Sequence, residues 1–419
     1  FSASTDGADN IAIGRSALAV SGNDGDDNIA IGLSALGTGD VSGNENVAIG
    51  SSALTALTTG TNNIAIGENA ACLVTGASHS IIMGACAGDA ITGDYNLAMG
   101  RNAMGAATSG SVNIALGLCV MSSGVTTGAD NIALGQKALN ALTSGSCNIA
   151  MGINAMGATT AGFRNVAIGE HALGLATTST DNQNQVAIGY KAIGNAVTTG
   201  SGNVGIGCGT LQSVTSGYRN VGIAGNAGDA LTTGFRNVAI GEHALGNTAD
   251  ACHNVAIGYQ AMGNCTGASQ NNVAIGQNAG CHHTSAQNNV AIGQGTNRAT
   301  TSGCHNISIG YDAGATITTA CKIINIGCNV QNTTAATTCI GGTCVMATQF
   351  TATSDCRSKK NIKDLPYGLD FINLLRPVSY KWKPQADKLD KNGNLIAEGE
   401  KNHIHQRTMF GLLGQQVKE

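Results

Sequence analysis

Four residues within six positions carry the clearest chemistry in the sequence: Ser354, Asp355, Arg357 and Lys359, in the run Ser-Asp-Cys-Arg-Ser-Lys. A serine hydroxyl with a lysine amine five residues on has the make-up of a Ser–Lys dyad. In such a dyad the hydroxyl attacks a carbonyl and the uncharged amine takes its proton. A polar linker with a solvated lysine has the same composition, and Arg357 either orients the site or forms a surface ion pair. The other chemistry-bearing types are more scattered. Fourteen Cys occur, none in a paired CxxC arrangement with zinc spacing. Glu170-His171 and Glu242-His243 recur in two GEHALG copies. Those copies are too far apart in sequence to be neighbours, so both pairs read as surface polar groups. No metal and no cofactor is expected. Pieces such as Gly205–Gly209 lack the strand–helix context that nucleotide binding needs. No paired carboxylates sit in an inserted domain, which argues against glycan hydrolysis.

The element that positions everything else is the stretch Asn165-Val166-Ala167-Ile168-Gly169, which returns from Asn10–Gly14 to Thr337–Gly341. Taking the closing Gly of each copy as an anchor gives twenty anchors, mostly 16 to 18 residues apart, with Ala224 replacing Gly once. Fixed self-similarity at this period means a solenoid of stacked coils. Val166 and Ile168 alternate with Ala167, the period of a short strand. Val and Ile at anchor minus 3 and minus 1 are expected to point into the coil, with Asn165 facing away from it. The small residues at minus 2 would then leave a face that another chain can approach. Asn fills minus 4 in sixteen of the twenty copies; stacked Asn residues can hydrogen-bond along the axis. A second apolar pair follows at plus 3 and plus 4, as in Ala172-Leu173 and Ala261-Met262, before Thr/Ser-Gly turns lead back to the next Asn.

Composition agrees with a repeat array. Sixty Gly and 3% aromatic residues do not describe an ordinary globular core, and 11% charged residues are too few for charge-rich disorder. The net charge of −4 leaves no basic footprint for nucleic acid. No apolar run reaches membrane-spanning length. The sequence begins at Phe1, so the true N-terminus is expected to lie upstream. The anchor minus 6 slot holds Cys252, Cys304 and Cys321 as well as Phe163, Tyr218 and Phe235, so it reads as packed. Cys304 and Cys321 would stack on adjacent coils, near enough for a disulfide. Scattered, unpaired Cys favour assembly in a reducing compartment.

Residues 1–345 therefore read as the shaft. The anchor interval stretches between Gly169 and Gly189, where polar residues of Thr177–Gln185 form an expected loop. Residues 346–353 read as a linker. Beyond Phe350 the composition changes: all three Pro, the only Trp (Trp382) and twelve of the 21 Lys and Arg lie there. Gly368–Leu375 is a short helix candidate ended by Arg376-Pro377, Val378–Trp382 alternates like a strand, and Asp390–Asn394 is a turn. Residues 354–419 thus form a small α+β module, expected to be truncated at its C-terminal end because an apolar element starting at Thr408 is still running at Glu419.

The repeat resembles the heads of trimeric autotransporter adhesins, which carry a shorter VAIG-type strand. The resemblance implies a parallel β-roll with three chains around one axis. The run Ser354–Ile362 resembles the SDxRxKxxI opening of the endosialidase-type intramolecular chaperone. Leu369-Asp370, Leu375–Trp382 and Gly411–Val417, similar to that family's GLIAQEV segment, continue the pattern. Gly414 and Gln416 depart from it, and Met409 stands where the family tends to carry a His. This second resemblance implies a module that trimerises the chain, guides its β-structured shaft to fold, and cuts itself off at the Ser354–Asp355 bond. Ser354, Asp355, Arg357 and Lys359 would be its catalytic set.

The sequence reads as an all-β, homotrimeric parallel β-solenoid of about twenty coils followed by a chaperone module. The corresponding function is a structural fibre on a virion surface, a tail fibre or tail spike assembled in the host cytoplasm. Its partners would be two further copies of the chain and a host receptor or glycan, with no nucleic acid and no membrane span. The competing reading is the head of a bacterial trimeric adhesin at the cell surface.

Overall fold

The structure is a computed structural model of all 419 residues. It describes residues 7–19, 24–106, 109–175, 183–194 and 198–341, together with the strands at 378–380, 388–389, 395–397 and 409–411. The chain divides into two compact units, Phe1–Val345 and Met346–Glu419.

Twenty three-residue strands, β1 (Ile11–Ile13) to β20 (Thr338–Ile340), each pair in parallel with the next. The register never slips. Val166 of β10 (Val166–Ile168) lies between Ile149 and Val186, Ala167 between Ala150 and Ala187, and Ile168 between Met151 and Ile188. No helix occurs among the described residues. Each coil is one turn of a parallel β-solenoid, and the remaining residues of the coil form the crossover that a parallel pairing requires.

The strand faces are the reverse of the expectation from alternation. Ala at minus 2 is the buried residue: Ala30, Ala48, Ala167 and Ala239 are fully inaccessible. Val and Ile at minus 3 and minus 1 flank it half-exposed, and Ile168 is 36% exposed. Asn165 faces inward and is fully buried. The reason is space. The coil interior opposite the strand is already filled from plus 3 and plus 4, where Ala172-Leu173, Ala155-Met156 and Ala261-Met262 are buried. A methyl group is what fits between them, so the β-branched side chains turn outward.

The plus 4 residues show how strongly the core acts on the backbone. Leu18, Leu36, Leu139 and Leu173 have φ between 45° and 49°. Left-handed backbone costs a branched-chain residue about 1–2 kcal/mol, whereas burying a Leu side chain contributes roughly 1.5–3 kcal/mol. The hydrogen bond from each such N–H to the next coil, for instance Leu36 N to Ala53 O at 3.0 Å, fixes the bend.

Inside the coil the Asn column forms a ladder, in which Ser80 stands in once, its Oγ accepting from Asn96 N at 3.2 Å. The Asn46 backbone N–H donates to Asn28 Oδ1 at 2.9 Å, while Asn28 Nδ2 donates to Gly43 O, also at 2.9 Å. Each amide therefore satisfies one donor and one acceptor that the turn before the strand leaves open, as buried backbone groups require. Gln185 performs the same task from one atom further away, its Oε1 accepting from Asn203 N at 3.0 Å and its Nε2 donating to Gly200 O. The ladder ends at Ile323, which can donate its N–H to Asn306 Oδ1 but has no side-chain acceptor to pass on.

The anchor glycines are required twice over. Gly241 has φ of 125°, and a Cβ there would sit 2.6 Å from Gly258 O of the next coil. Ala224, the one replacement, takes φ of 91° instead.

The second unit has two described strand pairs, both antiparallel. Val378–Tyr380 (β21) pairs with Met409–Gly411 (β24), and Lys388–Leu389 (β22) pairs with Leu395–Ala397 (β23). The expected strand at Val378 is therefore present. The helix candidate Gly368–Leu375, the linker 346–353 and the turn Asp390–Asn394 lie outside the described residues.

Candidate functional site

The residues turned outward by the packing of the coil, mostly Val and Ile with some Leu and Met and with Thr338 as the one polar member, lie above one another in register from β1 to β20. They form two parallel apolar columns on one face of the array. With nineteen steps of ~4.8 Å the face is roughly 90 Å long, and two flanking columns make it about 7 Å wide. That is on the order of 600 Å², at or beyond the largest apolar patch that a soluble monomer usually exposes. Where the strand carries Met instead, Met99 and Met151 are each 37% exposed on the same face.

At the edge of this face, the minus 6 slot solves its backbone problem in two ways. In the early coils a short polar side chain accepts the N–H of the coil before it, as Asp94 Oδ1 does from Ser78 N at 2.8 Å and Ser146 Oγ from Ala129 N at 3.0 Å. In the middle coils the slot is aromatic. The Tyr218 and Phe235 rings stack at 4.8 Å with an interplanar angle of 3°, and His253 meets Phe235 edge-on at 5.1 Å. The expectation that the whole slot is packed holds for Cys252, which is buried; Cys304 and Cys321 are only half-buried. The aromatic stack was not foreseen, although its signal is in the sequence: an aromatic-Arg-Asn triplet occurs at Phe163, Tyr218 and Phe235.

Cys72, Cys265 and Cys281 are placed for packing rather than attack. Burial, aided by a hydrogen bond to Asp89, pushes the Cys72 thiol up to about 12, and burial also raises Cys265 and Cys281. A thiol held protonated is a poor nucleophile. Cys304 and Cys321 stand on adjacent coils with their sulfurs 2.6 Å apart, and the hydrogen bond to Cys321 raises Cys304. The His283 ring lies inside the coil in the space left by Gly280, and neither of its nitrogens has a hydrogen-bond partner among the described residues. Burial lowers it to about 4, which keeps it neutral at physiological pH.

His171 and His243 are surface groups beside Glu170 and Glu242, at 3.9 Å and 4.0 Å. Ser354, Asp355, Arg357 and Lys359 lie outside the described residues, and their roles rest on the sequence of the module alone. A family model described as chaperone of endosialidase matches residues 354–419, the segment that opens on Ser354. No curated protein and no solved structure matches the chain. The molecule thus joins a parallel β-solenoid to a segment, residues 354–419, that matches the model of the chaperone-of-endosialidase family.

Proposed function

We propose that the chain is the shaft of a homotrimeric fibre on a virion surface that takes part in host attachment. The observation that carries this reading is the outward Val and Ile face in a chain that also carries a chaperone module. A solenoid whose own interior is closed by Ala and Leu has no intramolecular use for a second apolar face. Identical chains cover such a face by closed cyclic symmetry. Three chains can bring their columns to a common axis, and the in-register stacking lets every coil repeat the same contact. A chaperone that gathers three chains at one end fits the kinetics of such a fold. Long runs of non-local parallel pairing are slow to nucleate and expose strand edges while they wait.

In this reading the module then cuts the chain at the Ser354–Asp355 bond. The Ser354 hydroxyl of one chain attacks the Ser354 carbonyl of a neighbouring chain; Lys359, its amine lowered toward neutrality by burial in the assembled trimer, takes the hydroxyl proton and passes it to the departing Asp355 amine, and water then hydrolyses the ester that has formed. Asp355 and Arg357 position the bond. The event is a single turnover per chain, so it needs no external substrate.

The expected result is that purified wild-type chain gives two products by intact-mass analysis, one ending at Ser354. Ser354→Ala and Lys359→Ala should remain at 419 residues. A wild-type chain that stays full length while forming trimers would reduce the module to a non-cutting chaperone. Cutting that persists in Ser354→Ala would remove Ser354 as nucleophile.

A further inference from the structure

The column of rings at Tyr218 and Phe235 ends abruptly. In the coil before Tyr218 the same slot is Ser201, and the next position is Gly202, so neither covers the outer face of the Tyr218 ring. The result is an open notch of about 480 Å³ lined by Thr199, Ser201, Ser216, Tyr218, Arg219 and Arg236. Two guanidinium groups border it on successive coils. Arg236 is held over the stack, 6.0 Å from the Tyr218 ring and 5.9 Å from that of Phe235, and its Nη1 donates toward His253 Nε2 at 3.3 Å. Arg219 and Arg236 are both exposed, and among the described residues neither pairs with a carboxylate. No acidic side chain lines the notch.

We propose that this notch binds an acidic saccharide. Two like charges on backbones ~4.8 Å apart repel, and an oxyanion placed between them relieves that repulsion through charge-assisted, bidentate hydrogen bonds. The uncovered Tyr218 face offers a flat apolar platform for the C–H side of a sugar ring, in the way that aromatic faces serve amphipathic ligands. The exposed Ser216 hydroxyl supplies a neutral partner for sugar hydroxyls, and Thr199 Oγ1, which donates to Thr215 O at 3.3 Å, can still accept from them. Arg236 loses little entropy on binding because the ring stack and His253 already hold it. Carboxylate and sulfate ester share this chemistry, and either can carry the negative charge.

This inference rests on the attachment role proposed above and gives it a ligand class. Its test is calorimetric titration of the intact chain with tetragalacturonate (carboxylate only), neocarratetraose sulfate (sulfate only) and the neutral neoagarotetraose. At least one acidic probe should bind about tenfold or more tightly than the neutral one, and more weakly as salt is raised. The preferred acidic probe identifies which oxyanion is read. Arg219→Gln with Arg236→Gln should lower that affinity about tenfold or more, and Tyr218→Ala should lower it without removing the charge preference. Light scattering on the same samples separates this claim from the trimer. Absence of binding by both acidic probes, or binding unchanged in the double Arg variant, overturns the notch even if the chain is trimeric. Tyr218→Ala that dissolves the trimer also overturns it, since the ledge is then a subunit contact.

Discussion

Replacing Asn237 with leucine should destabilise the array by about 2–6 kcal/mol, although leucine is close in size and more apolar. Asn237 Nδ2 donates to Ala251 O at 2.6 Å, and Asn237 Oδ1 accepts from Asn254 N at 3.0 Å. Leucine leaves both of those backbone groups buried and unpaired, at about 1–3 kcal/mol each. Asn237→Gln should cost much less, because Gln185 already makes the equivalent pair of bonds in the native array. Urea midpoints for the two variants, with hydrogen exchange at Asn254 N, give the comparison. Equal midpoints for Leu and Gln would mean that the ladder contributes nothing beyond filling space. Because a solenoid's stability is close to a sum over coils and neighbours, the protection lost in the Leu variant should centre on the coils on either side of it.

If the proposed trimer forms on the outward face, aspartate at Val221, Val238 and Val255 should convert it to monomers while the coils stay folded. These three stand on adjacent strands of the outward face, each only half-buried in the single chain. In one chain the substitution costs the strand preference of Val over Asp, at most ~1 kcal/mol per site, plus a solvent-screened repulsion of about 0.2–1 kcal/mol between carboxylates on neighbouring strands. At a closed three-fold contact each position becomes a ring of three carboxylates taken out of water, and unpaired buried charge costs several kcal/mol per ion. The effect on assembly therefore exceeds the effect on the coil. Sedimentation velocity reports the mass and circular dichroism the strand content. A variant that remains trimeric would place the subunit contact on another face. A variant that loses its strand signal together with its mass would show that the coil cannot stand alone.

The array was legible in the sequence because its signal is redundant. A wrong reading of one copy is corrected by nineteen others, so the anchor Gly, the strand position and the coil length emerge without ambiguity. The orientation of the strand was not legible from the same residues. Val166-Ala167-Ile168 alternates equally well either way up, and the general preference for burying β-branched side chains points the wrong way. What decides it is the distance across the coil, which Leu173 and its equivalents have already used. Asn165 was misplaced for a related reason. Buried Asn is uncommon, and only the stacking of coils supplies the in-register carbonyl and N–H that make it favourable. The module at residues 354–419 differs in kind: its short motifs carry the family resemblance, whereas 66 non-repeating residues give pattern reasoning no second copy to check against.

The central claim is that three chains share the outward face of Val and Ile. The most direct measurement is multi-angle light scattering of Ser354→Ala chain, whose length is fixed if Ser354 is the nucleophile. The expected mass is that of three 41.8 kDa chains, unchanged on dilution. A folded, soluble species at the mass of one chain, with the same strand content by circular dichroism, would contradict it.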